Sequence, residues 1–241
     1  MKQFLRLPIF IMLICFVASC DVTGQRITGS GNVVKENRDN VPSFNEISVS
    51  GSMDVYVSKG ATQSITIEGD DNIIPYVELE VKGSDLNIGM RRNYNYNFRK
   101  SLKIYITVPE VVGVSLTGSG DLKMEDEFSV TRDVKVSLTG SGNLYARFKA
   151  PNVGARLTGS GDLYIAGETR DFNIVITGSG DVDGDNLMSE ATKVSISGSG
   201  DASVHASVDL DVKISGSGDV TYKGSPNVNS KISGSGSVRK N

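Results

Sequence analysis

From Val114 to the end of the chain, apolar and polar residues alternate with period two on both sides of a recurring glycine-rich tripeptide. Two residues before each tripeptide stand Leu116, Leu138, Leu157, Ile176, Ile196, Ile214 and Ile232. Four before it stand Val114, Val136, Ala155, Ile174, Val194, Val212 and Ser230. Four after its first glycine come Leu122, Leu144, Leu163, Val182, Ala202, Val220 and Val238. The positions between the first two columns are mostly polar, as at Ser115, Ser137, Arg156 and Ser195. Each unit therefore reads as strand, sharp corner, strand, with one face inward. The β-branched content of the inward columns favours strand over helix.

The tripeptide is Gly-Ser-Gly. It begins at Gly29, Gly118, Gly140, Gly159, Gly178, Gly198, Gly216 and Gly234, and a degraded copy begins at Gly51. From Gly118 onward the spacings are 22, 19, 19, 20, 18 and 18 residues. A fixed period of this size indicates a stacked-repeat architecture. A helical crossover between parallel strands needs about a dozen residues, and no stretch within one period carries a helical stripe that long. The simplest closure is a coil of short strands lying on the coil before it, with like residues about 4.8 Å apart. The predicted fold is all-β, a parallel β-helix or solenoid with Gly-Ser-Gly-Asp/Asn corners. An antiparallel sandwich of hairpins is the alternative, and identical columns at one period count against it.

The N-terminal half is less regular. Strands are predicted at 44–50, 53–57, 65–67, 77–81 and 102–108, with turns at Lys59-Gly60, Gly69-Asp70-Asp71 and Gly83-Ser84-Asp85. The 67 residues from Gly51 to Gly118 span more than three periods without the signature. Irregular coils or hairpins over 43–115, capping a regular stack over 116–241, are the expected organisation, because terminal repeats must shield the open end of the core. Residues 32–42 are polar and read as loop, and 20–42 as a tether.

Residues 1–19 form a short basic start, an apolar run from Leu7 to Val17 and then small residues. This is a signal-peptide pattern, too short for a spanning helix. Val17-Ala18-Ser19-Cys20 resembles a bacterial lipobox, which implies cleavage before Cys20 and lipid on its sulfur and new amino group. An ordinary secretory signal with an incidental cysteine is the alternative. Several acyl chains would hold the protein firmly, since each buried methylene contributes about 0.8 kcal/mol.

Composition narrows the chemistry. Lys and Arg total 25 against 28 Asp and Glu, a net charge of −3. After residue 19 the count is 23 against 28, or −5, which argues against non-specific nucleic-acid binding. Cys15 and Cys20 are the only cysteines and His205 the only histidine, so the body offers no disulfide, no Cys–metal site and no His-based zinc cage. His205 has no nucleophile motif beside it and reads as a surface strand position. No cofactor is expected.

The run Phe44-Asn-Glu-Ile-Ser-Val-Ser-Gly-Ser-Met-Asp-Val-Tyr-Val, then Ile65-Thr-Ile-Glu-Gly-Asp-Asp-Asn72, then repeated Leu-Thr-Gly-Ser-Gly-Asp/Asn, resembles the putative auto-transporter adhesin head domain, or head GIN domain, of Bacteroidetes lipoproteins and surface proteins. The resemblance spans residues 43–225. It implies a right-handed β-helix-like fold at the cell envelope. The chain shows no membrane-barrel translocator, so lipid would replace a barrel as the anchor.

Three features are candidates for chemistry. The position after each tripeptide holds Asn32, Asp121, Asn143, Asp162, Asp181, Asp201, Asp219 and Ser237. Carboxylates about 5 Å apart match a retaining glycosidase pair, so a β-helix enzyme acting on polysaccharide is one reading. Yet the ladder recurs in almost every coil, and Asn143 and Ser237 break the charge without breaking the repeat. A short side chain bonding backbone N–H groups at a tight corner explains the column better. Asp162, Asp181, Asp201 and Asp219 define a second possibility, a calcium ladder. The third feature is 91–100, where Arg91, Arg92, Tyr94, Tyr96 and Phe98 lie among three asparagines. It reads as a long hairpin or loop, with its aromatics either folded back on the stack or held out to a partner such as a glycan or surface protein. The sequence thus predicts a non-enzymatic, lipid-anchored envelope solenoid, adhesin-like and facing the periplasm or the cell surface at the outer membrane.

Overall fold

The computed structural model describes residues 25–241. Cys20 and the rest of the signal and lipidation region lie outside the described residues. Among the described residues no helix is long and apolar enough to cross a membrane.

The chain is a parallel β-solenoid. The segments ending in Gly51, Gly118, Gly140, Gly159, Gly178, Gly198, Gly216 and Gly234 lie one above another in parallel register, glycine over glycine at every step. The strand runs Asn143–Gly159, Asp162–Gly178, Val182–Gly198 and Ala202–Gly216 each travel from one corner to the next. The inward columns are dry: Leu116, Leu138, Leu157 and Ile176 are fully buried, and Phe128, Phe148 and Phe172 fill the far side of the coils. Burial of one such side chain contributes about 1.5–3 kcal/mol, and stacking repeats it at every level.

The corner has a steric cause. A Cβ added to Gly178 would lie 2.3 Å from the Gly159 carbonyl oxygen, and one added to Gly180 would lie 2.1 Å from that of Gly161. Gly178 also has φ +124°, outside the range of most side chains. The carbonyl that excludes a side chain is itself bonded: Ser179 and Gly180 both donate their amides to Gly159 O, at 2.9 and 3.1 Å. The degraded first corner follows from the same geometry. No glycine corner lies beneath Gly51, and a Cβ there would meet only the Met53 methyl at 3.2 Å. Met53 occupies the position held by the second glycine elsewhere and is buried at that end of the core.

Unequal coil lengths are absorbed away from the corner. Pairing slips between Tyr164 and Ala166 and again between Gly184 and Met188, then returns to register before the next corner.

The 67-residue interval is a single excursion below the first corner. Asp85–Met90 pairs in parallel under Glu46–Gly51, and Lys103–Val108 under Asp54–Lys59. Val77–Lys82 and Ser64–Asp70 then add antiparallel to these. The strand Asp85–Met90 was not among those the sequence predicted.

Two expectations are corrected here. Residues 25–37 are no loose tether. Gln25–Thr28 pairs in parallel with Tyr94–Asn97, and Val33–Asn37, within the expected loop 32–42, pairs antiparallel with Ser64–Asp70. The region 91–100, read as a long hairpin or loop, holds that Tyr94–Asn97 strand, and its partner is a distant parallel strand and not an adjacent hairpin arm. The free edge of Ser64–Asp70, with its open N–H and C=O groups, takes Val33–Asn37 as a partner in spite of its polarity. Gln25–Thr28 and Tyr94–Asn97 make a two-stranded sheet of their own.

The tripeptide at Gly29 is also not a corner of the stack. Its first glycine closes on Asp70, whose Oδ2 lies 2.0 Å from where a Cβ would be. Asp70 is 1% exposed and accepts amides from Gly31 (2.7 Å), Arg99 (3.1 Å) and Lys100 (3.3 Å). One buried carboxylate thus joins the first described residues to the segment that leads into the 103–108 strand.

Gly178→Ala is expected to destabilise the protein by about 2–4 kcal/mol, whereas Ser179→Ala, at an exposed corner position, stays within about 0.5 kcal/mol. Urea unfolding midpoints of the two variants against wild type check this, and equal midpoints would refute the corner argument.

Candidate functional site

The aspartate column is a structural ladder. One carboxylate oxygen of Asp181 accepts the Asp201 amide at 2.8 Å, Asp201 accepts that of Asp219 at 2.7 Å, and Asp219 that of Ser237 at 2.7 Å. Asp162 reaches the Asp181 amide at 3.4 Å, and Asp121 that of Asn143 at 3.2 Å. At Asn143 the pattern lapses, and the Asp162 amide turns to Gly142 O instead. The side chain therefore bridges the corner, where the backbone ladder is interrupted. Asn32 does not belong to the column, since it bonds Asp71 beside the cap. The structure does bring Asp162, Asp181, Asp201 and Asp219 into one line, each with an oxygen already committed to a backbone N–H. Among the described residues no group of three or more His, Cys, Asp or Glu is placed to hold a metal ion.

Around residues 91–100 the side chains divide by face. Tyr94, Tyr96 and Phe98 are half-buried and turned toward the cap, while Asn95 and Asn97 are exposed. Tyr76 meets Tyr94 and Tyr96 in edge-to-face pairs at centroid distances of 5.0 and 5.7 Å. Phe98 lies 6.2 Å from Tyr96 and packs on the core. The Tyr96 hydroxyl donates to Arg91 O at 2.8 Å, and burial pushes that phenol's pKa up. The aromatics thus hold the cap together, and the basic residues face outward. Arg91 pairs with Glu78 at 3.2 Å. Arg92 stands between two open hollows. One, of about 560 Å³, is lined by Ser48, Ser50, Asn87, Ser115 and Thr117 together with Glu80 and Lys82. The other, of about 580 Å³, is lined by Gln25, Asn93 and Tyr94.

Sequence reasoning missed a second aromatic array. Pairing places Tyr105, Tyr56, Lys123, Tyr145, Tyr164 and Asp183 in one outward column, one residue per level. Tyr105 and Tyr56 stack at 5.3 Å, and Tyr145 and Tyr164 at 4.6 Å with planes 4° apart. The signal was present, because Tyr145 and Tyr164 stand at the same offset from consecutive corners. His205 is half-buried on the outer face, and its carbonyl accepts the Ser189 hydroxyl at 2.7 Å.

This geometry defines a repeat protein whose surfaces are ladders of like side chains. Residues 43–226 match the family described as putative auto-transporter adhesin, head GIN domain, and the chain belongs to that family. A putative adhesin from Bacteroides fragilis is similar over 89% of this chain and 100% of its own, with 26% identity and a TM-score of 0.84. A putative lipid binding protein from Parabacteroides distasonis, 24% identical, covers 90% of this chain and 100% of its own at a TM-score of 0.75. A putative adhesin from Parabacteroides merdae, 22% identical, covers 90% and 99% at 0.71. The last two share the fold. No curated protein matches the sequence.

Ser237 bonds through both amide and hydroxyl hold the Asp219 carboxyl below the usual carboxylate range, and Arg239 adds to this. A native pKa below the unfolded one contributes stability that is complete above the ordinary range and lost as pH falls through the native value. The difference in urea midpoint between wild type and Asp219→Ala should therefore be largest at neutral pH and narrow below about pH 4. A difference that widens on acidification would contradict the ladder.

Proposed function

We propose that the protein is a lipid-anchored, non-catalytic scaffold of the outer membrane that presents an adhesin-like contact surface to glycans or surface proteins. Family membership and the likeness to the Bacteroides fragilis putative adhesin support the adhesin-like part. The observation that carries the non-catalytic part is the repetition of one bonding pattern along the stack. The column carboxylates are bound to backbone amides, whereas acid–base chemistry needs one pair with separated roles in a pocket. The contact surface in this reading is the hydroxyl-lined hollow beside Arg92, a residue that also lines the neighbouring hollow. The lipobox-like Val17–Cys20 supports the anchor.

In cells, wild-type protein should partition with membranes and Cys20→Ala should be released. Protease added to intact cells should remove the wild-type protein if it faces outward and spare it if it faces the periplasm. A Cys20→Ala protein that stays in the membrane fraction would end the lipid reading. Release of reducing ends or unsaturated products from a polysaccharide panel would replace the scaffold with an enzyme.

A further inference from the structure

The column that runs through Tyr145 and Tyr164 opens at one place. The 20-residue coil from Gly178 to Gly198 carries one more residue than the coil before it, and the excess is taken up by the slip between Tyr164 and Ala166 and their partners Asp183 and Asn186. Beside this bulge lies a cleft of about 330 Å³, at the lower end of the range for small-ligand sites. Bulges re-aim side chains and recur next to functional sites. The next pair of coils slips as well, between Gly184 and Met188, but the cleft lies at the first slip, beside the tyrosine column.

Its chemistry is specific. The Tyr145 and Tyr164 rings are parallel and 4.6 Å apart, close to the spacing between coils. One face of the Tyr164 ring is therefore covered by Tyr145, and the other is turned away from it. At the next level stands Asp183, a short side chain, so the outer face of Tyr164 has no aromatic neighbour in its column. Asp183 is held in place: its Oδ1 accepts the Asp185 amide and the Ser203 hydroxyl, both at 3.1 Å. Asn186 and Arg147, both exposed, flank the cleft with planar hydrogen-bonding groups. Its charges balance, with Lys123 and Arg147 against Glu125 and Asp183, and Lys123 already pairs with Glu125 at 3.1 Å. A balanced lining neither attracts a polyanion nor a polycation. An aromatic platform with fixed hydroxyl-binding groups around it suits a flat, neutral, polyhydroxylated ring.

We infer that this cleft binds a pyranose unit of a neutral glycan, packed on the outer face of Tyr164 with its hydroxyls bonded to Asp183, Asn186 and Arg147. The inference rests on the adhesin-like reading and gives it a second, separate surface, on a different part of the molecule from the hollow beside Arg92.

The test is saturation-transfer NMR on the full chain, irradiating aromatic protons, with manno-, malto-, cello- and chitohexaose as probes and hexagalacturonate as the acidic counterpart. At least one neutral hexasaccharide should receive saturation. Tyr164→Ala should weaken its binding about tenfold, the effect of losing one aromatic contact. Asn186→Ala, at an exposed position, should weaken it severalfold with an unchanged melting midpoint, and Arg92→Ala should leave it unchanged. Absence of binding by all four neutral probes at millimolar concentration would overturn the inference, as would hexagalacturonate binding alone. Binding that survives Tyr164→Ala but fails in Arg92→Ala would also overturn it, moving the ligand to the other hollow and leaving the adhesin-like reading intact.

Discussion

Everything above the first corner depends on a carbonyl oxygen approaching the backbone where a side chain would otherwise begin. At Gly178 that oxygen lies 2.3 Å from the place a Cβ would take, and the same oxygen receives two amides from the corner above it. The approach fixes the vertical register. Once the corners are superposed, the residues two and four positions earlier must fall on their counterparts, and the aliphatic columns close into a single interior. Each backbone bond contributes about 1 kcal/mol net, so the arrangement gains from its many repetitions and not from any one contact. The aspartates extend the same logic to the residue just past the corner, where a carboxylate oxygen takes an amide that lacks a carbonyl partner.

The lower end of the stack is built differently because a parallel coil with nothing beneath it exposes both its edge and its core. Met53 closes the core under the first corner. Antiparallel strands on either side of the 74–76 turn cover the edge, and Asp70 binds three amides from two distant segments. The tyrosine cluster around Tyr76 fastens Tyr94–Asn97 to this cap. Of the two sequence readings of these aromatics, folded back or held out to a partner, the structure has the first: they are part of the closure, and the adjoining arginines are what the surface presents.

Much of the upper stack was legible because its aliphatic columns are local: the residues two and four before each Gly-Ser-Gly, and the one four after its first glycine, sit beside the signature that aligns them. The corner aspartates were legible as turn residues for the same reason, although their partner one coil away was not. The lower end was obscure because its pairings join segments far apart in the chain. Gly51 lies under Gly118 across 67 residues, and nothing in the intervening sequence marks them as neighbours. Leu86-Asn87-Ile88 alternates as a strand should, but three residues between glycine turns are a weak signal. The Gly-Ser-Gly at Gly29 misled because the same tripeptide serves a different close approach, to a carboxylate instead of a carbonyl. The tyrosine column was available in the repeat alignment and becomes meaningful only when the levels are stacked and the bulge opens beside it.

Because mismatches in coil length are taken up away from the corner and register is recovered before the next one, whole coils are interchangeable units. Gain or loss of one would leave the interior sealed and change the height of the molecule by about 4.8 Å. The fold is thus a ruler with graduations of one strand spacing, able to set how far its upper end projects independently of which side chains its flanks display.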